Sequence, residues 1–148
     1  MVRVMAARFD IAALDESGQI TVLVEAKSKL GTDATWAREL RRLIAERAPA
    51  VVSGMFLLVT PDALYLWPAG GRLDSLPATL DAATLLGKHL DRVGARRDRA
   101  MDPRVFEDVV LWWLKDVATG VATAPSGDAF APLTQALRAG RIVTELAA

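Results

Sequence analysis

A chain of 148 residues with 52% apolar content is long enough for one domain with a sizeable core, and wholesale disorder is excluded. Its 18 basic and 18 acidic residues cancel, so any hold on nucleic acid must come from a local basic patch and not from a global field. The absence of cysteine and the single histidine, His89, exclude disulfides, thiolate chemistry and multi-histidine zinc sites, and no GxSxG elbow supports a serine nucleophile.

Residues 3–14 and 20–28 read as strands joined by a DESG turn. Gly31-Thr32-Asp33 opens a helix whose Trp36, Leu40, Leu43, Ile44 and Ala48 form one apolar stripe, ended by Pro49. Residues 54–60 read as a short buried strand, Pro61-Asp62 as a turn and residues 63–67 as the returning strand of a hairpin. Residues 68–77 are a loop rich in Gly and Pro, and residues 79–97 read as helix with His89 at the surface or at a helix end. Asp102-Pro103 is a strong start signal for a helix over 103–118, with Asp as N-cap and Pro at the first helical position. That helix is apolar over more than half its circumference, so it is buried from two sides or sits in an interface through Trp112-Trp113. A loop over 120–127, a short helix over 129–139 capped by Asp128 and a strand over 141–146 complete the chain.

This order describes a single mixed α/β domain over 1–148. Residues 1–67 form a core with a central sheet of four or five strands flanked by helices, and residues 78–148 a helical extension packed on it. The helix after residue 31 is the crossover between the second and third strands. The start lacks a long apolar signal region, and the longest apolar run, 51–59, is too short to span a membrane. A cytoplasmic protein without a membrane partner is the expectation.

The first hairpin carries the chemistry. Its second strand is apolar on both faces except for Glu25 and Lys27, the pattern of a buried strand, where unpaired charge is costly. With Ser17-Gly18 at the turn, Asp15 faces Ile20 and Asp10 faces Glu25. Strict alternation then puts Asp10, Glu25 and Lys27 on one side, the two acids with Cβ atoms about 4.5–5.5 Å apart. Adjacent carboxylates repel unless something positive lies between them, and oxygen ligands suit Mg²⁺ or Mn²⁺. A lysine two residues along can hold a water at the metal or neutralise an oxyanion, which is equipment for hydrolysing a phosphodiester.

Asp10 followed by Glu25-Ala26-Lys27 resembles the D…(D/E)xK signature of the PD-(D/E)XK nuclease superfamily, the restriction-endonuclease-like fold. The flanking order is similar too: the acid and the ExK on adjacent strands, then a helix, then a buried strand. The resemblance covers roughly residues 5–67. It implies Asp10 and Glu25 as metal ligands, the backbone carbonyl of Ala26 as a third, and Lys27 as the catalytic lysine. It further implies a polar residue on the following helix near the site; Glu39 matches best, with Arg38 and Arg42 as alternatives. It also implies a helix ahead of the first strand, often with a further acid. Only about seven residues precede the strand here, so covering helices are expected from the second half of the chain or from another subunit.

A phosphate-gripping face is expected from Arg38, Arg41, Arg42 and Arg47, and a second basic stretch from Lys88 to Arg104 that includes Arg96 and Arg97. The leading expectation is a divalent-metal-dependent nuclease acting on DNA more readily than RNA. The alternative is a catalytically inactive binding or assembly module, a homodimer through the Trp112-Trp113 helix.

Overall fold

The computed structural model describes residues 8–96 and 98–147. β1 (Arg8–Leu14) and β2 (Ile20–Ala26) form the first hairpin, followed by α1 (Ala34–Ala45), the single turn α2 (Ala50–Ser53), β3 (Met55–Val59), β4 (Ala63–Trp67) and β5 (Ala78–Asp81). α3 (Ala82–Arg92), α4 (Pro103–Thr119), α5 (Ala131–Ala139) and β6 (Arg141–Ala147) complete it. The strands form one mixed six-stranded sheet in the order β5-β4-β3-β2-β1-β6. β2 and β3 are parallel, joined by the α1 crossover, and every other neighbouring pair is antiparallel.

Both faces of the sheet are covered, which is why its central strands are apolar on both sides. Leu23, Phe56, Leu58, Tyr65 and Trp67 pack under α1 and α2. Val22, Val24, Leu57, Val59, Leu64 and Leu66 pack under α3, α4 and α5, where Phe106, Val110, Trp113 and Leu133 fill the interior. The apolar girth of α4 is thus spent inside the chain. Trp113 is buried in this core, and Trp112 lies edge-on to His89 under the Arg92 guanidinium. Of the tryptophan pair, Trp113 belongs to the core, while Trp112 keeps part of its surface accessible.

Several elements differ from the sequence reading. The sheet has six strands because Ala78–Asp81 extends its edge, in a stretch read as loop and helix. Asp81 then caps α3 through the Ala83 N–H, and the helix ends at Arg92 ahead of Gly94, whose φ is +70°. The last strand is no appendage: β6 lies antiparallel to β1, with Arg8 opposite Ala147. A side chain at Gly140 would run into the Leu14 carbonyl, so glycine lets β6 start this close. Within α1 the buried positions are Ala37 and Arg41, while Leu43 is 62% exposed. Two residues along a helix turn by about 200°, so once Arg41 points inward Leu43 must point out. α5 begins at Ala131 with Phe130, not Asp128, at its N-cap, because the Phe130 ring packs into the core. Among the described residues no helix is long and apolar enough to cross a membrane.

Candidate active site

The first hairpin brings Asp10 and Glu25 together at the end of the sheet. The β1–β2 register runs Ile11–Val24, Ala12–Leu23, Ala13–Val22, so one further step sets Asp10 against Glu25. Near the turn the register slips between Ala13 and Leu14, and Leu14, not Asp15, pairs with Ile20. Asp15 instead closes the turn, its carboxylate accepting the Ser17 and Gln19 N–H groups. The Ser17 hydroxyl, which also donates to it, and next the Gln19 N–H hold it below the usual carboxylate range.

Strict alternation does not survive at Asp10. Phe9 packs on the α1 face with Leu23, whereas Ile11 packs on the α4 face with Val24. Asp10 stands at this break. Its Oδ2 accepts the Ala26 N–H at 2.8 Å, and its own N–H points at Glu25 Oε1 at 3.4 Å. Each acid is tied to the other's strand, and Asp10 can also meet α4.

Glu25 is 7% exposed on a central strand. Burial, and next the negative charge of Asp10, push its carboxyl up to about 7 from an ordinary 4.5. Lys27 opposes this: its Nζ lies 3.5 Å from Glu25 Oε2, and its side chain is 45% exposed. Lys27 is positioned from behind, where its N–H donates to the Val59 carbonyl at 2.9 Å. The loop after it is pinned by Asp62, whose Oδ2 takes the Gly31 and Thr32 N–H groups, and by the Thr32 hydroxyl against Thr60 and Tyr65.

A third acid joins them that the sequence reading did not select. Glu107, one turn into α4, lies near the Asp10 side chain; burial first, then the Asp10 charge, raises its carboxyl. The available signal was the acidic pair Glu107-Asp108 set between Phe106 and Val109 on an otherwise largely apolar helix. Glu107, Ala26, Lys27, Trp36 and Leu40 line one recess of about 360 Å³. α4, from the second half of the chain, thus lays an acid beside the hairpin.

The remaining expected residues are placed elsewhere. Glu39 is exposed and pairs with Arg38 at 3.5 Å, while α1 offers Trp36 and Leu40 to the recess. Arg42 is exposed on α1. Arg41 cannot grip phosphate: it is 0% exposed, stacks 5.0 Å above Trp67 and donates to the Arg72 carbonyl at 2.8 Å. Arg96 is exposed and paired with Asp98 at 3.1 Å, and Arg97 lies outside the described residues. His89 is not a surface residue but is buried, with Nε2 2.7 Å from Asp116 Oδ2.

The Asp10 and Glu25 carboxylates are hard oxygens of the kind Mg²⁺ takes while keeping several waters. The unrelieved repulsion at Glu25 is the feature a cation would remove. Among the described residues no three His, Cys, Asp or Glu side chains form a ready-made nest, so waters must complete any shell. No family model, curated protein or solved structure matches the chain.

Proposed function

We propose that this chain is a divalent-metal-dependent nuclease of PD-(D/E)XK type that hydrolyses phosphodiester bonds in nucleic acid, DNA more readily than RNA. The observation that carries the reading is Glu25: a buried carboxyl on a central strand, crowded by Asp10 and met by the Lys27 ammonium. A carboxyl kept in such surroundings costs stability and marks a functional site.

Bound Mg²⁺ or Mn²⁺ supplies Lewis-acid stabilisation and a more acidic water. Asp10 and Glu25 would hold it, with the Ala26 carbonyl as a third ligand. The Ala26 N–H fixes the Asp10 carboxylate, so its free lone pairs are aimed before substrate arrives. Lys27, on an exposed flexible stem, orients the attacking water or offsets charge building on a non-bridging phosphate oxygen. Arg38 and Arg42 on α1, and the basic side chains around Arg96, remain as the phosphate grip.

One observation favours a second reading, a binding module without catalysis: Lys27 already closes on Glu25 as a simple ion pair. A single assay separates the two. Plasmid and single-strand digestion with Mn²⁺ is compared for wild type, Lys27→Ala and Asp10→Asn. Cleavage by wild type that both substitutions abolish supports the enzyme. Silence in all three leaves the binding module.

A further inference from the structure

A cavity of about 260 Å³ opens between α3, the β3–β4 turn and the segment leading to α4. Leu30, Leu90 and Met101 give it apolar walls, Gly87 lies on the helix face turned into it, and Arg96 and Arg99 stand along it. It adjoins the carboxylate recess along two stretches of chain. Lys29 lines the recess and Leu30 the cavity; Pro103 lines the recess and Met101 the cavity.

Gly87 is the telling residue. It sits in the middle of α3, where glycine costs helix stability. It is not among the glycines with positive φ, so the backbone does not require it. A Cβ there would meet nothing within 4 Å, so close packing does not require it either. What Gly87 does is keep the cavity wall open.

We propose that this cavity binds one unpaired nucleotide of the substrate strand, the base between the apolar walls and the phosphate on Arg99. The inference rests on the nucleic-acid reading above. A flat ring suits walls of two leucines and a methionine, whose sulfur favours aromatic contact. Arg99 forms no ion pair among the described residues, and its guanidinium matches a phosphate bidentately. Two of the acids on the wall are already engaged. Asp62 takes the Gly31 and Thr32 N–H groups, and Asp81 the Ala83 N–H and the Thr84 hydroxyl. Asp91 is left to accept an exocyclic base amino group, as a carboxylate does from cytosine, so cytidine is preferred to uridine. The volume lies below the ~300–1,000 Å³ of pockets for drug-sized ligands, a size for one nucleotide and not two. The preferred substrate is then single-stranded, or has one base drawn out of its stack, next to the scissile bond.

The test is a protein-observed NMR titration with CMP in the absence of metal, on wild type, Gly87→Leu, Arg99→Ala and Lys27→Ala. Saturable shifts confined to α3 and residues 95–101 are expected in wild type and in Lys27→Ala. Gly87→Leu fills the cavity and Arg99→Ala removes the phosphate ligand; each weakens CMP at least tenfold while the rest of the spectrum stays folded. UMP binds more weakly than CMP. Absence of saturable shifts in wild type, or CMP binding as well to Gly87→Leu as to wild type, overturns the proposal. Mn²⁺-dependent cleavage without CMP binding sinks the cavity alone, whereas CMP binding without cleavage supports the cavity and sinks the nuclease.

Discussion

Asp10 and Glu25 grip one another's strands: the Asp10 carboxylate takes the Ala26 N–H at 2.8 Å, and the Asp10 N–H points to the Glu25 carboxylate at 3.4 Å. Two like charges are thereby locked side by side at the end of a buried strand. Backbone donors fix their geometry, but only Lys27 offsets their charge at close range. Holding the pair together costs the fold stability, because burial and the Asp10 charge both disfavour the Glu25 carboxylate.

That expense gives a pH signature. The Glu25 carboxyl rises from 4.5 in the unfolded chain to about 7 in the fold, so the folded state binds its proton more tightly. Folded-state proton uptake means stability is greatest below pH 4.5 for this group and falls as pH rises through 7. The full loss is on the order of 3 kcal/mol. Urea unfolding at pH 5 and pH 8 measures it, with Glu25→Gln as the neutral reference. The wild-type minus Glu25→Gln difference becomes more unfavourable toward pH 8. A difference that stays constant across this range shows that Glu25 is not held protonated by the fold.

Metal and proton compete for the same oxygens. Below pH 7 Mn²⁺ has to displace the Glu25 proton, so its affinity rises about tenfold per pH unit and levels off above pH 7. Calorimetric titration at pH 5.5, 6.5 and 7.5, in buffers of different ionisation enthalpy, reads both the affinity and the released proton. Binding that ignores pH places the cation away from Glu25.

Much of this arrangement was legible in the sequence because strand alternation and turn chemistry are local. The closeness of Asp10 to Glu25, the crossover helix, the Asp102 cap of α4 and the strand over 141–146 follow from such rules, and the structure has them. The α4 cap illustrates why: Asp102 Oδ1 takes the Arg104 N–H two residues away, a contact written within one turn of chain. What was not legible depended on tertiary packing. Arg41 reads as a surface cation on any helical wheel; only the Trp67 ring and the 71–73 loop carbonyls explain its burial. Glu107 reads as a solvated helix residue until α4 is laid beside the hairpin. The break in alternation at Asp10 is likewise set by Phe9 turning to the α1 face.

Arg41 offers a test of that packing. Its guanidinium, without a carboxylate partner among the described residues, ties α1 to the 68–77 loop through the carbonyls of Gly71, Arg72 and Leu73. Desolvation lowers its proton affinity, as it must for a cation held by dipoles alone. Arg41→Ala leaves a void over Trp67 and frees three carbonyls, a loss of about 2–4 kcal/mol. Arg41→Met restores most of the stem packing but none of the donors. It recovers part of the stability while hydrogen exchange of the 68–77 loop stays fast. Equal protection of that loop in wild type and Arg41→Met shows that the carbonyl contacts do not hold it.

Glu107 separates a covering helix from a working one. Its carboxyl lies near Asp10 and feels the Asp10 charge, which adds a third acid to the neighbourhood of the hairpin pair. Glu107→Gln keeps the size of the side chain and removes the acid. Partners that orient metal ligands typically contribute 10–100-fold to metal affinity or activity, and a drop of that size in Mn²⁺-dependent cleavage is expected. Without metal the same variant melts no lower than wild type, because it relieves repulsion between Glu107 and Asp10. Loss of activity together with unimpaired melting is the signature of an acid kept for chemistry. A variant that cleaves like wild type reduces α4 to a lid over the sheet and confines the active groups to the hairpin.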